Sequence, residues 1–137
     1  MRMNDILDNA VDQDRGRLLE LVDPFEGKPT GLKLWIVGPD SDTARRAQIA
    51  LADDLAEVAD VDGRVTAEQR EKARLDCLAR HVQRWEVEEE GKPVPFSTTA
   101  LLRILRVSWV QQQVDAFAAD RRNFAPAYTE FASGEGY

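Results

Sequence analysis

The stretch Leu75-Asp76-Cys77-Leu78-Ala79-Arg80-His81-Val82-Gln83-Arg84-Trp85-Glu86 decides how the rest of the chain is read. Leu75, Leu78, Val82 and Trp85 follow one another at steps of three, four and three, which is the spacing of one helix face. Just upstream, Thr66-Ala67-Glu68-Gln69 has the spacing of a capping box. There a threonine hydroxyl takes the amide of the fourth residue and that residue's side chain takes the threonine amide. The pattern predicts one helix that starts at Thr66 and ends near Trp85, before the acidic turn Glu88-Glu89-Glu90-Gly91. With this segment helical, strand character is left to the N-terminal part of the chain.

Moving outward, Pro93 and Pro95 hold the next segment extended. Ser97 then caps a helix bearing Leu101, Leu102 and Leu105. Val107 and Ser108 interrupt it, and Ser108 is placed to cap a further helix with Trp109 or Val110, Val114 and Phe117 on one face, closing around Asn123. On the N-terminal side, Asp40-Ser41-Asp42 opens a helix running to about Val58, with Ala44, Ala47, Leu51, Leu55 and Val58 as its apolar stripe. Asp60-Val61-Asp62-Gly63-Arg64 ends that helix. Before it, Arg17–Val22 and Gly31–Gly38 are apolar runs, the second alternating in Leu32, Leu34 and Ile36, and Asp23–Thr30 between them is rich in turn formers. These runs form a two-stranded antiparallel hairpin over residues 16–38, which is marginal alone and needs helices or a neighbouring subunit to pack on. Ile6, Leu7 and Val11 have helical spacing in residues 1–15, which read as a short helix or a loose acidic arm. Residues 125–137 read as a mobile tail. The expectation is a mainly α fold: a single small domain over 16–124, with about four helices and an N-terminal two-stranded β-hairpin.

With 137 residues, 43% of them hydrophobic and 31% charged, the chain is long enough to bury a core and has the composition of a globular domain. Twenty-five acidic against 18 basic residues leave a net charge of −7 and a pI near 4.7. The basic pairs Arg45-Arg46 and Arg121-Arg122 both have acidic neighbours. Counterion release from a nucleic acid needs clustered cations, so nucleic-acid binding is disfavoured. No segment approaches the roughly 20 apolar residues of a membrane span, no signal-like apolar run opens the chain, and the lone Cys77 excludes an internal disulfide. These features lead to the expectation of a cytosolic protein.

Each polar cluster also has a plain reading. Asp60-Val61-Asp62-Gly63 resembles the middle of an EF-hand loop. With Gly63 as the sixth loop residue, Val58 falls at the first position and Gln69 at the twelfth, where calcium needs carboxylates. Cys77 and His81 share a helix face, yet zinc needs three or four ligands and no second Cys or His exists. Gly38-Pro39-Asp40-Ser41-Asp42 lies where phosphates bind, but two aspartates repel an anion there and capping accounts for the residues. Glu86, Glu88, Glu89 and Glu90 form a solvated charge run. No catalytic, metal or cofactor residue is assigned. The aromatics Trp85, Phe96, Trp109, Phe117 and Phe124 are either core, the preferred assignment, or partner-binding anchors.

Two segments also resemble a known family. One is Gly31-Leu32-Lys33-Leu34-Trp35-Ile36-Val37-Gly38-Pro39-Asp40-Ser41-Asp42. The other runs from Trp85 through Gly91-Lys92-Pro93-Val94-Pro95-Phe96-Ser97 to Trp109, Gln113-Val114, Phe117 and Asp120-Arg121-Arg122-Asn123-Phe124. Together, over residues 30–125, they resemble the tail assembly chaperones of long, non-contractile-tailed bacteriophages and related prophages. Members tend to carry a proline before the tryptophan that opens the closing pattern, where this chain has Ser108. The resemblance implies a non-enzymatic, self-associating, largely helical protein that coats the apolar helices of the tape-measure protein. Such a protein helps tail-tube subunits polymerise around the tape measure in the host cytoplasm, then leaves before the virion matures. The alternative from the structural class is a virion part such as a head–tail connector or tail-completion protein.

Overall fold

The structure, a computed structural model, describes residues 1–126, so the tail expected over 125–137 lies outside the described residues from position 127 onward. In chain order the elements are α1 (Met3–Gln13), β1 (Arg17–Val22), β2 (Pro29–Ile36), α2 (Asp42–Val58), α3 (Ala67–Ala79), β3 (Val82–Glu86), β4 (Glu88–Glu89), β5 (Lys92–Pro93), α4 (Thr98–Leu105) and α5 (Ser108–Ala119). A 3-10 turn, Arg121–Phe124, closes the series. β1, β2 and β3 form one antiparallel sheet in that order, and β4 and β5 a second, two-stranded one.

This corrects the mainly α expectation: the architecture is α+β. The expected hairpin exists, pairing Arg17 with Ile36 through to Val22 with Pro29, but β2 is the centre of a three-stranded sheet rather than one arm of a lone hairpin. The helix that opens at Thr66 stops at Ala79. The Thr66 hydroxyl and Gln69 side chain make the expected reciprocal cap. At the other end the His81 amide donates to the Leu78 carbonyl, 3.0 Å, and the Val37 amide donates to the His81 carbonyl, 2.9 Å. The chain thus passes from the end of α3 straight into pairing with β2.

The misreading has a physical cause in the register. Leu34 pairs with Trp85 and Trp35 with Arg84, but Ile36 pairs with Val82, which leaves Gln83 as an extra residue in β3. A bulge of this kind rotates the strand locally. It brings Val82 and Trp85, three positions apart, onto the same face, where both are buried. In an unbroken strand residues three apart point to opposite faces. The bulged strand therefore shows the spacing of a helix.

The sheet buries one face. Leu21, Leu34 and Ile36 on it meet Leu101 of α4 and Val114 of α5, all of them at or below 1% exposure. Each such side chain contributes about 1.5–3 kcal/mol relative to leaving it in water. The opposite face carries the row Leu18, Trp35 and Arg84, with the Arg84 guanidinium 4.5 Å above the Trp35 ring. α4 and α5 are separated by Arg106 and Val107, and the break needs no proline. Val107 takes the N-cap position in extended conformation, and the Gln111 side chain donates to the free Leu105 carbonyl, 3.0 Å. Ser108, expected as the cap, is the first helical residue instead. In the acidic turn, Glu90 and Gly91 both take positive φ, 52° and 76°, the geometry of a two-residue hairpin loop joining β4 to β5.

Candidate functional site

The partner-binding candidates are placed as follows. Trp85 is buried in the core and its indole N–H donates to the Val94 carbonyl, 2.9 Å. Phe96 packs edge-on against it, ring centroids 5.4 Å apart, and is itself 39% exposed. Trp109 and Phe117 are partly buried against the core. Phe124 is fully buried and meets Phe117 edge-on at 5.5 Å. Of the five, Phe96 alone is exposed.

The closing pattern from Trp109 to Phe124 acts as a clamp across the fold. Gln113 grips an edge of the sheet: its amide donates to the Val22 carbonyl, 2.8 Å, and its oxygen accepts from the Val22 amide, 2.9 Å. Asp120 accepts from the Arg122 amide, 3.0 Å, and opens the 3-10 turn. Asn123 donates to the Phe117 carbonyl, 3.0 Å, which holds the turn against α5. Arg121 reaches Asp40 with two hydrogen bonds of 2.9 Å. These donors from Arg121 hold the Asp40 carboxyl below the usual carboxylate range, with desolvation opposing and Gln13 assisting. Arg122 pairs with Asp120.

Behind this clamp sits α1, attached through its polar side. Gln13 is 1% exposed. Its oxygen accepts from the Asp40 amide, 2.8 Å, its amide reaches Asn9 and Asp40, and its carbonyl accepts from the Gly38 amide, 3.1 Å. Asn9 donates to the Phe124 carbonyl, 3.0 Å. Asp12 pairs with Arg17. Asp14, just past the helix, accepts the amides of Asp42 and Thr43 at 3.0 and 3.1 Å. The amides opening α2 are thereby taken, with Ser41 Oγ holding that of Ala44.

A helix bound by its polar side turns its apolar side outward. Met3, Ile6, Leu7, Ala10 and Val11 stand at i, i+3, i+4, i+7 and i+8, one continuous stripe. Met3, Ile6, Leu7 and Val11 are 73%, 58%, 53% and 63% exposed. Beside the stripe a groove of about 610 Å³ runs between α1 and the 3-10 turn, with Ile6, Ala10 and Phe124 in its lining. Contiguous apolar patches larger than a few hundred Å² mark interaction sites on soluble proteins. Sequence reasoning saw the helical spacing of Ile6, Leu7 and Val11 but not the face they would show. The signal that could have found it was the pair Asn9 and Gln13 beside the stripe, amides able to donate to oxygen acceptors such as a backbone carbonyl, where aspartates can only accept.

The remaining polar clusters have local explanations. Asp60 Oδ1 accepts the amides of Asp62 and Arg64, both at 2.9 Å, and Gly63 takes φ +78°, which is an ordinary turn. Cys77 is buried, its Sγ 3.5 Å from the Ala47 carbonyl. Burial pushes its thiol above the ordinary range, so it stays protonated at neutral pH, whereas a nucleophile needs the thiolate. His81 Nδ1 lies 2.9 Å from the Cys77 carbonyl. Among the described residues no three His, Cys, Asp or Glu side chains gather as a metal site, and no helix is long and apolar enough to cross a membrane. Comparison with protein-family models, with curated proteins and with solved structures finds no match to this chain.

Proposed function

We propose that this protein is a tail assembly chaperone of long, non-contractile-tailed phages. In this reading it is a non-enzymatic helper without a cofactor that covers apolar helices of the tape-measure protein and assists tail-tube subunits to polymerise around it. The observation that carries the reading is the outward apolar stripe of α1. A surface helix normally buries such a face, and a protein that covers apolar helices of a client needs one left open. The resemblance of the Trp109–Phe124 pattern supplies the family. The structural roles of those residues supply a reason for a family to keep them, since Gln113, Asp120, Arg121, Asn123 and Phe124 join the hairpin, α1, α5 and Asp40 in the loop before α2. The partners in this reading are the tape-measure and tail-tube proteins and further copies of the chain. Its place is the bacterial host cytoplasm, not the mature virion.

Co-expression with the tape-measure protein of the same phage tests the reading. A chaperone keeps the tape measure in the soluble fraction and co-purifies with it. A tape measure that stays insoluble, with no complex recovered, overturns the proposal. Mass spectrometry of purified virions separates the structural alternative: a chaperone is absent or scarce, whereas a connector appears at ring stoichiometry.

A further inference from the structure

The stripe on α1 has a charge environment that selects among occupants. α1 contains Asp5, Asp8 and Asp12 and no basic residue between Met3 and Gln13. Asp5 is engaged by Arg2, and Asp12 by Arg15 and Arg17. Asp8, exposed and bordering Val11, has no ion pair or hydrogen bond among the described residues. Across the groove, Arg121 and Arg122 are held by Asp40 and Asp120. One edge of the apolar face thus carries a free negative charge, and the two arginines on the other edge are already paired.

We infer that this face takes an amphipathic helix from another protein, one whose apolar stripe is bordered by lysine or arginine. A second copy of α1 fits poorly. In an antiparallel pair centred on Leu7 the Asp8 edges meet, and like charges across a helix pair destabilise it. The net charge of −7 adds repulsion between whole molecules. A membrane surface fits no better, because the anionic lipids that hold amphipathic helices attract Lys and Arg, not Asp. A foreign helix with an apolar face and a basic border satisfies both the stripe and Asp8. This recognition mode is a helix laid along an apolar surface and read at i, i+3, i+4 and i+7. The inference rests on the chaperone reading only for the identity of the natural client.

The test uses the full-length protein and two labelled 18-residue amphipathic peptides, one built of leucine and lysine and the other of leucine and glutamate, followed by fluorescence anisotropy. The lysine peptide should bind more tightly than the glutamate peptide. Leu7→Ser with Val11→Ser should weaken it by about tenfold or more, through lost apolar contact. Asp8→Lys should weaken it by about fivefold and improve the glutamate peptide. Glu89→Lys, the same change in net charge but in β4, should do neither. The inference falls if the lysine peptide does not bind, or if Asp8→Lys and Glu89→Lys act alike, which means unspecific charge attraction. It also falls if sedimentation shows a dimer that Leu7→Ser abolishes, or if binding appears only after residues 127–137 are removed, since the occupant is then another copy or the chain's own end. Peptide binding without rescue of the tape measure leaves the surface standing and removes the chaperone reading. Rescue of the tape measure without peptide binding does the reverse.

Discussion

Gly38 is glycine for want of space. A Cβ there would stand 2.8 Å from the Phe124 ring and closer still to Gln13 Oε1, nearer than such atoms approach without displacement. The position is where the end of β2, α1 and the closing turn meet, so strain spreads to all three. Gly38→Ala should cost about 1–3 kcal/mol, as overpacking of a filled interior does, and a lowered urea midpoint with an unchanged slope would show it. Asp40 gives a pH signature at the same junction. The hydrogen bonds from Arg121 hold its carboxyl below the usual range. A carboxyl depressed in the folded state contributes stability above its unfolded value, near pH 4, and loses it as pH falls through the lower folded value. The pair is largely exposed, at 71% and 41%, so solvent screening keeps the contribution small. Carboxyl titration by NMR should place Asp40 below the ordinary aspartate range, and Arg121→Ala should move its midpoint up. Residue-scale features that depend on near neighbours were legible in the chain: the caps at Thr66 and Ser97 form as expected, and of Asp40 and Ser41 it is Ser41 that caps α2. The space around Gly38 was not, because Gln13 and Phe124 come from opposite ends of the sequence.

At the scale of elements, α1 inverts the usual arrangement, and its substitutions should invert with it. Ile6→Ser and Leu7→Ser lie on the exposed stripe and should each change stability by no more than about 0.5 kcal/mol. Gln13→Ala removes the acceptor of the Asp40 amide and a buried side chain that bonds Asn9. It should cost about 1–3 kcal/mol. Thermal unfolding of the three variants side by side checks the order, and equal losses at Ile6 and Gln13 would mean that the apolar side is covered. β3 makes a second element-scale case. Deleting Gln83 leaves Val82 two positions before Trp85, so an unbulged strand keeps the same pairs to Ile36 and Leu34 and both side chains on the core face. The deletion should therefore cost less than Trp85→Ala, for which about 3–5 kcal/mol is expected, both read from denaturation midpoints. A deletion as costly as Trp85→Ala would mean that the pairing needs the bulge. The helical reading of Leu75 to Trp85 failed here because a bulge and a helix both set side chains three apart on one face.

Across the whole molecule, the clamp residues join distant segments: Gln113 to Val22 and Asn9 to Phe124 are 91 and 115 positions apart. The three-stranded sheet, α3, α4, α5 and Phe124 share one core. Unfolding should therefore be a single cooperative transition, with tryptophan fluorescence and far-ultraviolet circular dichroism giving the same midpoint. Separate midpoints would mean that the sheet and the helical part melt independently. Turn chemistry, the caps of α3 and α4, the pairing of β1 with β2 and the apolar periodicity of α1 could be written down from the amino acids alone, because each depends on groups close along the chain. Membership of β3 in the sheet, the clamp made by the Trp109–Phe124 pattern and the outward turn of α1 could not. Each depends on which distant surface the segment meets: β2 for Val82–Glu86, Val22 for Gln113, and Asp40 with Gly38 for Gln13. An apolar stripe records that a face has a use, and only the packing of the opposite side decides whether that face turns into the core or out towards a partner.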